Sequence, residues 1–305
     1  MVVTGCSGFL GRYVAEELMR QGEVVVGLDL VKPNYEINEF KKGDFTNKDL
    51  ALEATRRASV VCHLGGVGDV YLADSDPGLA FKANAYGTKV ICDAVRETGV
   101  AKLLYASTWE VYGRPERSPV EETHPCTPES PYSISKLAGE LFVRKAGLDR
   151  SLRTMSLRLG TAYGPGMRES AVISRFISAA KSRRPLCVYG DGRQFRQFTH
   201  AEDIARAFGL ALRTRARGFV YNVVSDEKVT IGGLAELIAD RFHVPIEIRP
   251  ARQAEPPSAL VSSERARQAL RWSPRISFAE GLDRLFGDSE TAETGGISEG
   301  DPARR

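Results

Sequence analysis

Met1-Val-Val-Thr-Gly5-Cys-Ser-Gly8-Phe-Leu-Gly11 decides the fold: a short apolar run ends in a glycine-rich turn, and residues of helical spacing follow at once. A buried strand that feeds directly into a helix opens a strand–helix–strand crossover. The rhythm then repeats. Residues 24–29, 60–64 and 102–107 are further apolar runs of strand length, and residues 11–21 and 77–98 between them have helical spacing, with Glu16, Glu17 and Arg20 on a solvated face. Strands alternating with amphipathic helices predict an α/β chain built on a parallel, doubly wound sheet. Residues 156–159 are a fifth strand candidate.

The glycines of the opening turn have separate uses. Gly5 permits the tight turn, Gly8 lets the backbone come up to a pyrophosphate, and Gly11 lets helix and strand pack closely, leaving the anion on the helix N-terminus. Ser7, Phe9 and Leu10 complete this expected cofactor-binding turn, and Leu64, at the end of the third apolar run, is expected to join them. Asp29 closes the second run, 24 residues after Gly5. There a carboxylate accepts hydrogen bonds from the adenosine ribose hydroxyls and repels a 2′-phosphate. With Leu30 and Val31 after it and no arginine beside it, the expected cofactor is NAD rather than NADP. Asp44, in Gly43-Asp44-Phe45, reads either as an adenine contact or as a loop aspartate capping a turn.

Pro131-Tyr132-Ser-Ile-Ser-Lys136 starts an amphipathic segment in which a spacing of four puts the phenol and the ammonium on one helical face. A phenol is a poor base at neutral pH, and bringing its pKa from about 10 toward 7 needs roughly 4 kcal/mol of selective phenolate stabilisation. Lys136 and a positive nicotinamide ring are the cations that supply it. The same spacing alone is also what a solvated helix face shows. What precedes it favours chemistry: Leu103-Leu-Tyr-Ala-Ser107-Thr108-Trp109-Glu110-Val111-Tyr112-Gly113 is an apolar strand ending in hydroxyls, and ligands of open sheets bind at the carboxyl ends of strands. Thr108 stands where it can relay a proton between substrate and Tyr132, or where it caps the next turn.

Gly5–Gly11, Asp29, Ser107-Thr108, Tyr132 and Lys136, with Asn84 in Asn84-Ala-Tyr-Gly-Thr88, resemble the NAD-dependent epimerase/dehydratase family, the extended short-chain dehydrogenase/reductases, over about residues 1–280. The resemblance implies a Rossmann-type NAD-binding domain, residues 1–165, to which later segments return, and a smaller C-terminal substrate-binding α/β part, residues 166–286. Bound NAD oxidises a sugar hydroxyl, chemistry follows on the keto-sugar, and the hydride usually returns. By that similarity Tyr132 is the general base, Lys136 lowers its pKa and holds the nicotinamide ribose, and Thr108 supports the proton path. Asn84 holds structure or a water, and Ser107 lies at the substrate. The family commonly pairs two copies through the Tyr132 helix and its neighbour, whose outer faces are expected to carry Leu137, Phe142 and Val90.

The second half resembles the family's substrate end. In Val188-Tyr-Gly190-Asp-Gly192-Arg-Gln-Phe-Arg196, Arg196 takes the place of a pyrophosphate-binding arginine, and Arg252 resembles a second one. Guanidinium suits phosphate because bidentate contact fixes orientation as well as charge. Trp272-Ser-Pro274 matches a closing motif read as packing, and His63 and His200 are read as structural, with no metal site. Two positions depart from the pattern. Thr161 stands where an asparagine is usual, a change at the expected contact to the nucleotide sugar, and Trp109 replaces the acid or hydroxyl of the Thr-Asp-Glu and Thr-Ser-Glu motifs of dehydratases and decarboxylases. A tryptophan cannot protonate a leaving hydroxyl. A nucleotide-sugar epimerase, needing only Tyr132, Lys136 and Thr108, is the first expectation; a dehydratase or decarboxylase using Glu110 is the alternative. A pure NAD-binding module has no need of Tyr132 and Lys136 together.

Composition sets the class. A net charge of +3 asks for no nucleic-acid partner, and no apolar run approaches the roughly 20 residues of a membrane span, so the expected setting is the cytoplasm. Five cysteines at scattered spacings fit neither a disulfide framework nor a zinc ribbon, and read as reduced, mostly buried fillers. Residues 287–305, rich in Ser, Glu, Gly, Thr and Ala, are expected as a disordered tail.

Overall fold

The central strands of the first half are buried because helices cover the sheet on both faces. β1 (Val2–Thr4), β2 (Val26–Asp29), β4 (Val60–His63), β5 (Lys102–Thr108) and β6 (Arg153–Leu159) coincide with the sequence expectations to within a few residues. The computed structural model describes residues 1–148, 151–216, 218–251 and 258–294. One further strand of the sheet, β3 (Glu39–Lys42), escapes an apolar search because it is an edge strand of charged residues. The helices of this half are α1 (Phe9–Arg20), α2 (Lys48–Thr55), α3 (Val70–Ser75), α4 (Pro77–Ala80), a π-helical turn at Phe81–Gly87, α5 (Thr88–Glu97) and α6 (Pro131–Ala146).

From Thr161 onward come β7 (Thr161–Tyr163), α7 (Val172–Lys181), β8 (Leu186–Tyr189), β9 (Phe195–Arg196), β10 (Phe198–His200), α8 (Ala201–Arg213), β11 (Val220–Val223), β12 (Val229–Thr230), α9 (Ile231–Phe242), β13 (Ile246–Arg249), α10 (Glu264–Leu270) and α11 (Phe278–Thr294). Two of these return to the first half. β11 joins the sheet beside β6, giving a seven-stranded parallel order β3-β2-β1-β4-β5-β6-β11. The order reverses between β1 and β4, and that switch point is where such sheets bind ligands. α8 packs on α1, so that Val14, Ala15 and Leu18 share one core with Ile204, Phe208 and Ala211. The opposite face is covered by α2, α5 and α6 through residues such as Ala51, Ile91, Val95 and Val143.

A separate core forms from α7, α9 and α11 around the β8–β13 pair, with Phe176, Leu186, Leu234, Ile238 and Phe286 buried. The Trp272 motif packs: the indole is buried and donates to the Asp203 carbonyl at 2.8 Å, while the Asp203 carboxylate accepts from the backbone of Arg275 and Ile276. α11 runs to Thr294, into the segment expected as a tail; residues 295–305 lie outside the described ones. All five cysteines are free, with Cys6, Cys62 and Cys92 buried.

One cation stitches the sheet to its covering helix. Buried Lys102, at the start of β5, donates to the carbonyls of Ala211, Leu212 and Thr214 at 2.9, 2.7 and 3.1 Å, satisfying the C-terminal end of α8. Lys102→Met is therefore expected to cost about 2 kcal/mol of stability, the usual worth of hydrogen bonds to a charged group, with cofactor affinity nearly unchanged. Chemical denaturation against wild type measures it, and an unchanged midpoint would refute the assignment.

Candidate active site

The glycine-rich turn is built as a cradle. Gly5 takes φ +71°, and a Cβ on Gly11 would lie 1.8 Å from the Gly5 carbonyl oxygen, so α1 could not approach with any other residue there. Gly8 caps α1 without a side chain, which leaves the first-turn amides at Phe9 and Leu10 unsatisfied by the helix and suited to an anion. Asp29 stands at the lip: its carboxylate accepts from the Ser7 amide at 3.0 Å and the Val31 amide at 3.4 Å, while the Ser7 hydroxyl donates to the Val31 carbonyl. Tyr35, which the sequence reading missed, ties the following loop down by donating to the Cys6 carbonyl at 2.8 Å. Leu64 follows β4 and is half-buried, its amide donating to the Thr4 carbonyl. Asp44 accepts from the Thr46 amide at 2.8 Å, the turn-capping alternative of the two readings.

Thr108, Glu110, Tyr132 and Lys136 come from three elements that meet at the end of β5. Ser130 and Ser133 form a capping box that fixes where α6 begins, with Pro131 in its first turn and Tyr132 beside it. The Tyr132 phenol faces the Thr108 side chain across the junction of β5 and α6. Burial, reinforced by the charge of Glu110, holds the phenol well above its ordinary range, and the Thr108 side chain and the charge of Arg168 oppose this only in part. Lys136 is buried with its ammonium 4.4 Å from the centre of the Tyr105 ring, and burial pulls it down to about 7. Beneath it, His63 stacks on Tyr105 and bonds the hydroxyls of Thr4 and Thr88 at 2.6 and 3.0 Å; burial lowers it to about 3, so it is neutral.

Glu110 follows Thr108 in the short turn Trp109–Tyr112. Burial raises its carboxyl to about 6, against the opposing charges of Arg168 and Arg196. Arg196, on β9, lines a cleft together with Thr161, Trp109 and Gln197, so those two expected substrate residues do come together. Arg168 was not singled out from sequence. It donates to the Gly68 carbonyl at 2.6 Å and faces Asp69, bridging the loop after β4 to the segment after β7, and only the fold brings it to Glu110.

Ser107 is placed differently from the expectation. Alternation along β5 turns it, with Leu103 and Tyr105, toward α6, where its buried hydroxyl donates to Glu140 at 2.6 Å. It supports the helix instead of facing substrate, and the period-2 pattern of the strand already contained that signal. Asn84 spends its amide on the Val67 backbone and the Ser135 hydroxyl, the structural half of its reading. Trp109 is buried among Tyr112, Val120, Val224 and Val261. Arg252 lies outside the described residues. Among those described, no three His, Cys, Asp or Glu side chains converge as a metal site would require, and His200 accepts from the Glu202 amide through Nδ1 at 3.3 Å.

A family model described as the NAD dependent epimerase/dehydratase family matches residues 1–224. The chain belongs to this family. UDP-glucose 4-epimerase of Mycolicibacterium smegmatis is 30% identical, the match spanning 92% of this chain and 95% of that one. UDP-glucuronate 4-epimerase of Thermodesulfobacterium geofontis is 29% identical over 93% and 94% of the two chains. Among solved structures, MoeE5 in complex with UDP-glucuronic acid and NAD superposes with a TM-score of 0.89 at 28% identity, covering 95% of this chain and 99% of that one. The chain is thus an enzyme of the epimerase/dehydratase kind with NAD as its cofactor, and the uncapped α1, the glycine cradle and Asp29 are the features that fit it.

A carboxylate at the end of the second strand is suited to accept from a ribose and to repel a 2′-phosphate, so Asp29→Ala is expected to weaken NAD about tenfold while narrowing its preference over NADP. Calorimetric titration with both cofactors decides the matter. Equal affinities in variant and wild type would show that the carboxylate does not face the ribose.

Proposed function

We propose that this enzyme epimerises a nucleotide sugar, at C4, through a transient keto-sugar. The single observation that carries the reading is that Thr108, at the carboxyl end of β5, and Tyr132, at the start of α6, face one another, with Trp109 turned into the core. NAD, when bound, would supply the acceptor and donor of a hydride at the sugar carbon. The protein's part is to move the proton and hold the sugar. Once ionised to the phenolate, Tyr132 would accept the hydroxyl proton while Thr108 hydrogen-bonds the same oxygen, and the Lys136 ammonium would lower the cost of that phenolate. Arg196 and Thr161 hold the nucleotide end, Arg196 on phosphate. Two of the relatives named above are 4-epimerases.

The same site supports a second reading on one observation. A carboxyl raised to about 6 beside Tyr132 is suited to acid/base work near neutral pH, which makes Glu110 the residue of a dehydratase or decarboxylase. A panel of nucleotide sugars, followed by mass and stereochemistry, separates the two: epimerisation conserves mass, dehydration loses water and decarboxylation loses carbon dioxide. Tyr132→Phe is expected to abolish turnover with NAD still bound. Glu110→Gln is expected to cost less than about tenfold, under about 1.4 kcal/mol of barrier, where loss of acid/base work would cost on the order of 10²–10⁴. A loss above a hundredfold in folded, NAD-loaded protein would promote the second reading.

We also propose that two copies pair through α6 and its neighbours. The apolar residues available differ from the expectation: Val90 is buried within the fold, and the exposed ones are Phe81, Tyr86, Ile134 and Leu141, with Phe142 and Lys89 lining a groove between them. Light scattering at micromolar concentration should give twice the chain mass, and Leu141→Glu about half of that. A wild-type monomer would overturn the pairing. A cytoplasmic setting is part of the same proposal; no described helix is long and apolar enough to cross a membrane.

A further inference from the structure

Residues 29–35 leave the end of β2 and come back to a single dipeptide, Cys6-Ser7, in the middle of the glycine turn. Three ties make the closure. The Asp29 carboxylate accepts from the Ser7 amide at 3.0 Å, the Ser7 hydroxyl donates to the Val31 carbonyl, and the Tyr35 hydroxyl donates to the Cys6 carbonyl at 2.8 Å. The first two hold the start of the loop, and Tyr35 holds its middle. Between Lys32 and Glu36 no other side chain, among the described residues, bonds the turn. The far end is anchored separately: Ile37 packs against the core shared by α1 and α8, and the Asn38 side chain accepts from the Val25 amide at 2.8 Å. The Tyr35 ring is itself seated. It is half-buried, and the Arg12 guanidinium of α1, bonded to Glu16 at 2.9 Å, stands 5.8 Å from its centre. Burial keeps the phenol well above its ordinary range, so its proton stays available to the carbonyl.

We propose that Tyr35 is a positioning residue for the cofactor: its hydroxyl locks the loop after β2 onto the glycine turn, so that Asp29 and the turn stand in fixed register before the adenosine diphosphate half arrives. The inference rests on the reading of Gly5–Gly11 and Asp29 as the seat of that half. Register matters because the two parts serve adjoining groups: the first-turn amides of α1 suit the diphosphate, and the Asp29 carboxylate suits the ribose. They stand at the ends of two different strands, β1 and β2, and the loop ties one to the other. A loop already ordered in the free protein loses little conformational freedom at binding. Untied at Tyr35, its middle regains that freedom, and only the bonds at Ser7 still hold Asp29 to the turn. The Tyr35 proton is committed to Cys6, so the residue acts on the cofactor through Asp29 and the turn rather than by contact.

Tyr35→Phe removes one oxygen and leaves the ring beside Arg12, so the fold is retained. Calorimetric titration of the full chain with NAD and with ADP-ribose is expected to show both bound about fivefold more weakly, the scale of one neutral hydrogen bond. Equal loss for the two ligands is the signature, because ADP-ribose carries the half seated on the turn and lacks the nicotinamide. A loss confined to NAD, or no loss for either, overturns the proposal. A merely structural tie predicts a lower melting temperature with both affinities unchanged. Tyr35→Phe combined with Asp29→Ala shows whether Tyr35 acts through the carboxylate. If it does, removing the hydroxyl costs about twofold or less once the carboxylate is gone, and a loss still about fivefold in that background overturns the role. The two failures are distinguishable: an Asp29→Ala variant with unchanged NAD affinity removes the reading of the seat itself, whereas an Asp29 effect without a Tyr35 effect removes the role of Tyr35 alone.

Discussion

A Cβ on Gly139 would stand 2.5 Å from both the Asn84 carbonyl and the Tyr105 hydroxyl, and the arrangement of the site follows from that approach. Only a glycine lets α6 lie this close to β5 and to the π-helical turn at Phe81–Gly87. The closeness puts Lys136 on the Tyr105 ring, Ser135 on the Asn84 amide and Tyr132 against Thr108. The π-turn belongs to the same constraint. Its extra residue per turn lets Asn84 reach both the loop after β4 and α6, and π-bulges are most frequent where a helix has to serve a site.

Burial does the electrostatic work. Lys136 is pulled down to about 7 and Glu110 is pushed up to about 6, both by desolvation, so the two groups flanking Tyr132 titrate near neutrality from opposite directions. Tyr132 moves the other way, upward, for the same reason. Burial therefore makes the phenol a worse base, and a phenolate there has to be stabilised by positive charge.

What could be read from the chain was what chain-local rules determine. Gly5, Gly8 and Gly11 follow a buried strand and precede a helix, and Asp29 ends the next strand; turn sterics and strand length leave these residues little choice. Tyr132 and Lys136 share a face by helical period alone. What could not be read depends on distant packing. β3 is a charged edge strand with no apolar signal, β11 and α8 rejoin the first half after a long excursion, and Arg168 reaches Glu110 only because the segment after β7 folds back over the loop after β4. Ser107 differs in kind: the family resemblance puts it at the substrate, whereas the alternation of β5 puts it with Leu103 and Tyr105 on the face that packs on α6.

Trp109 joins the two halves of the problem. As a residue beside Thr108 it is a loss, since an acid or hydroxyl there could serve the sugar and an indole cannot. As a packing element it is a gain: it sits with Val120, Val224 and Val261, and the cleft it borders also holds Arg196 and Thr161. Arg196 comes from β9, a two-residue strand held by β12 outside the main sheet, so its position depends on such contacts more than on the sheet. The indole thus braces the cleft that holds Arg196 and Thr161 against the turn that carries Glu110, so one buried side chain ties a two-residue strand outside the main sheet to the carboxyl end of β5.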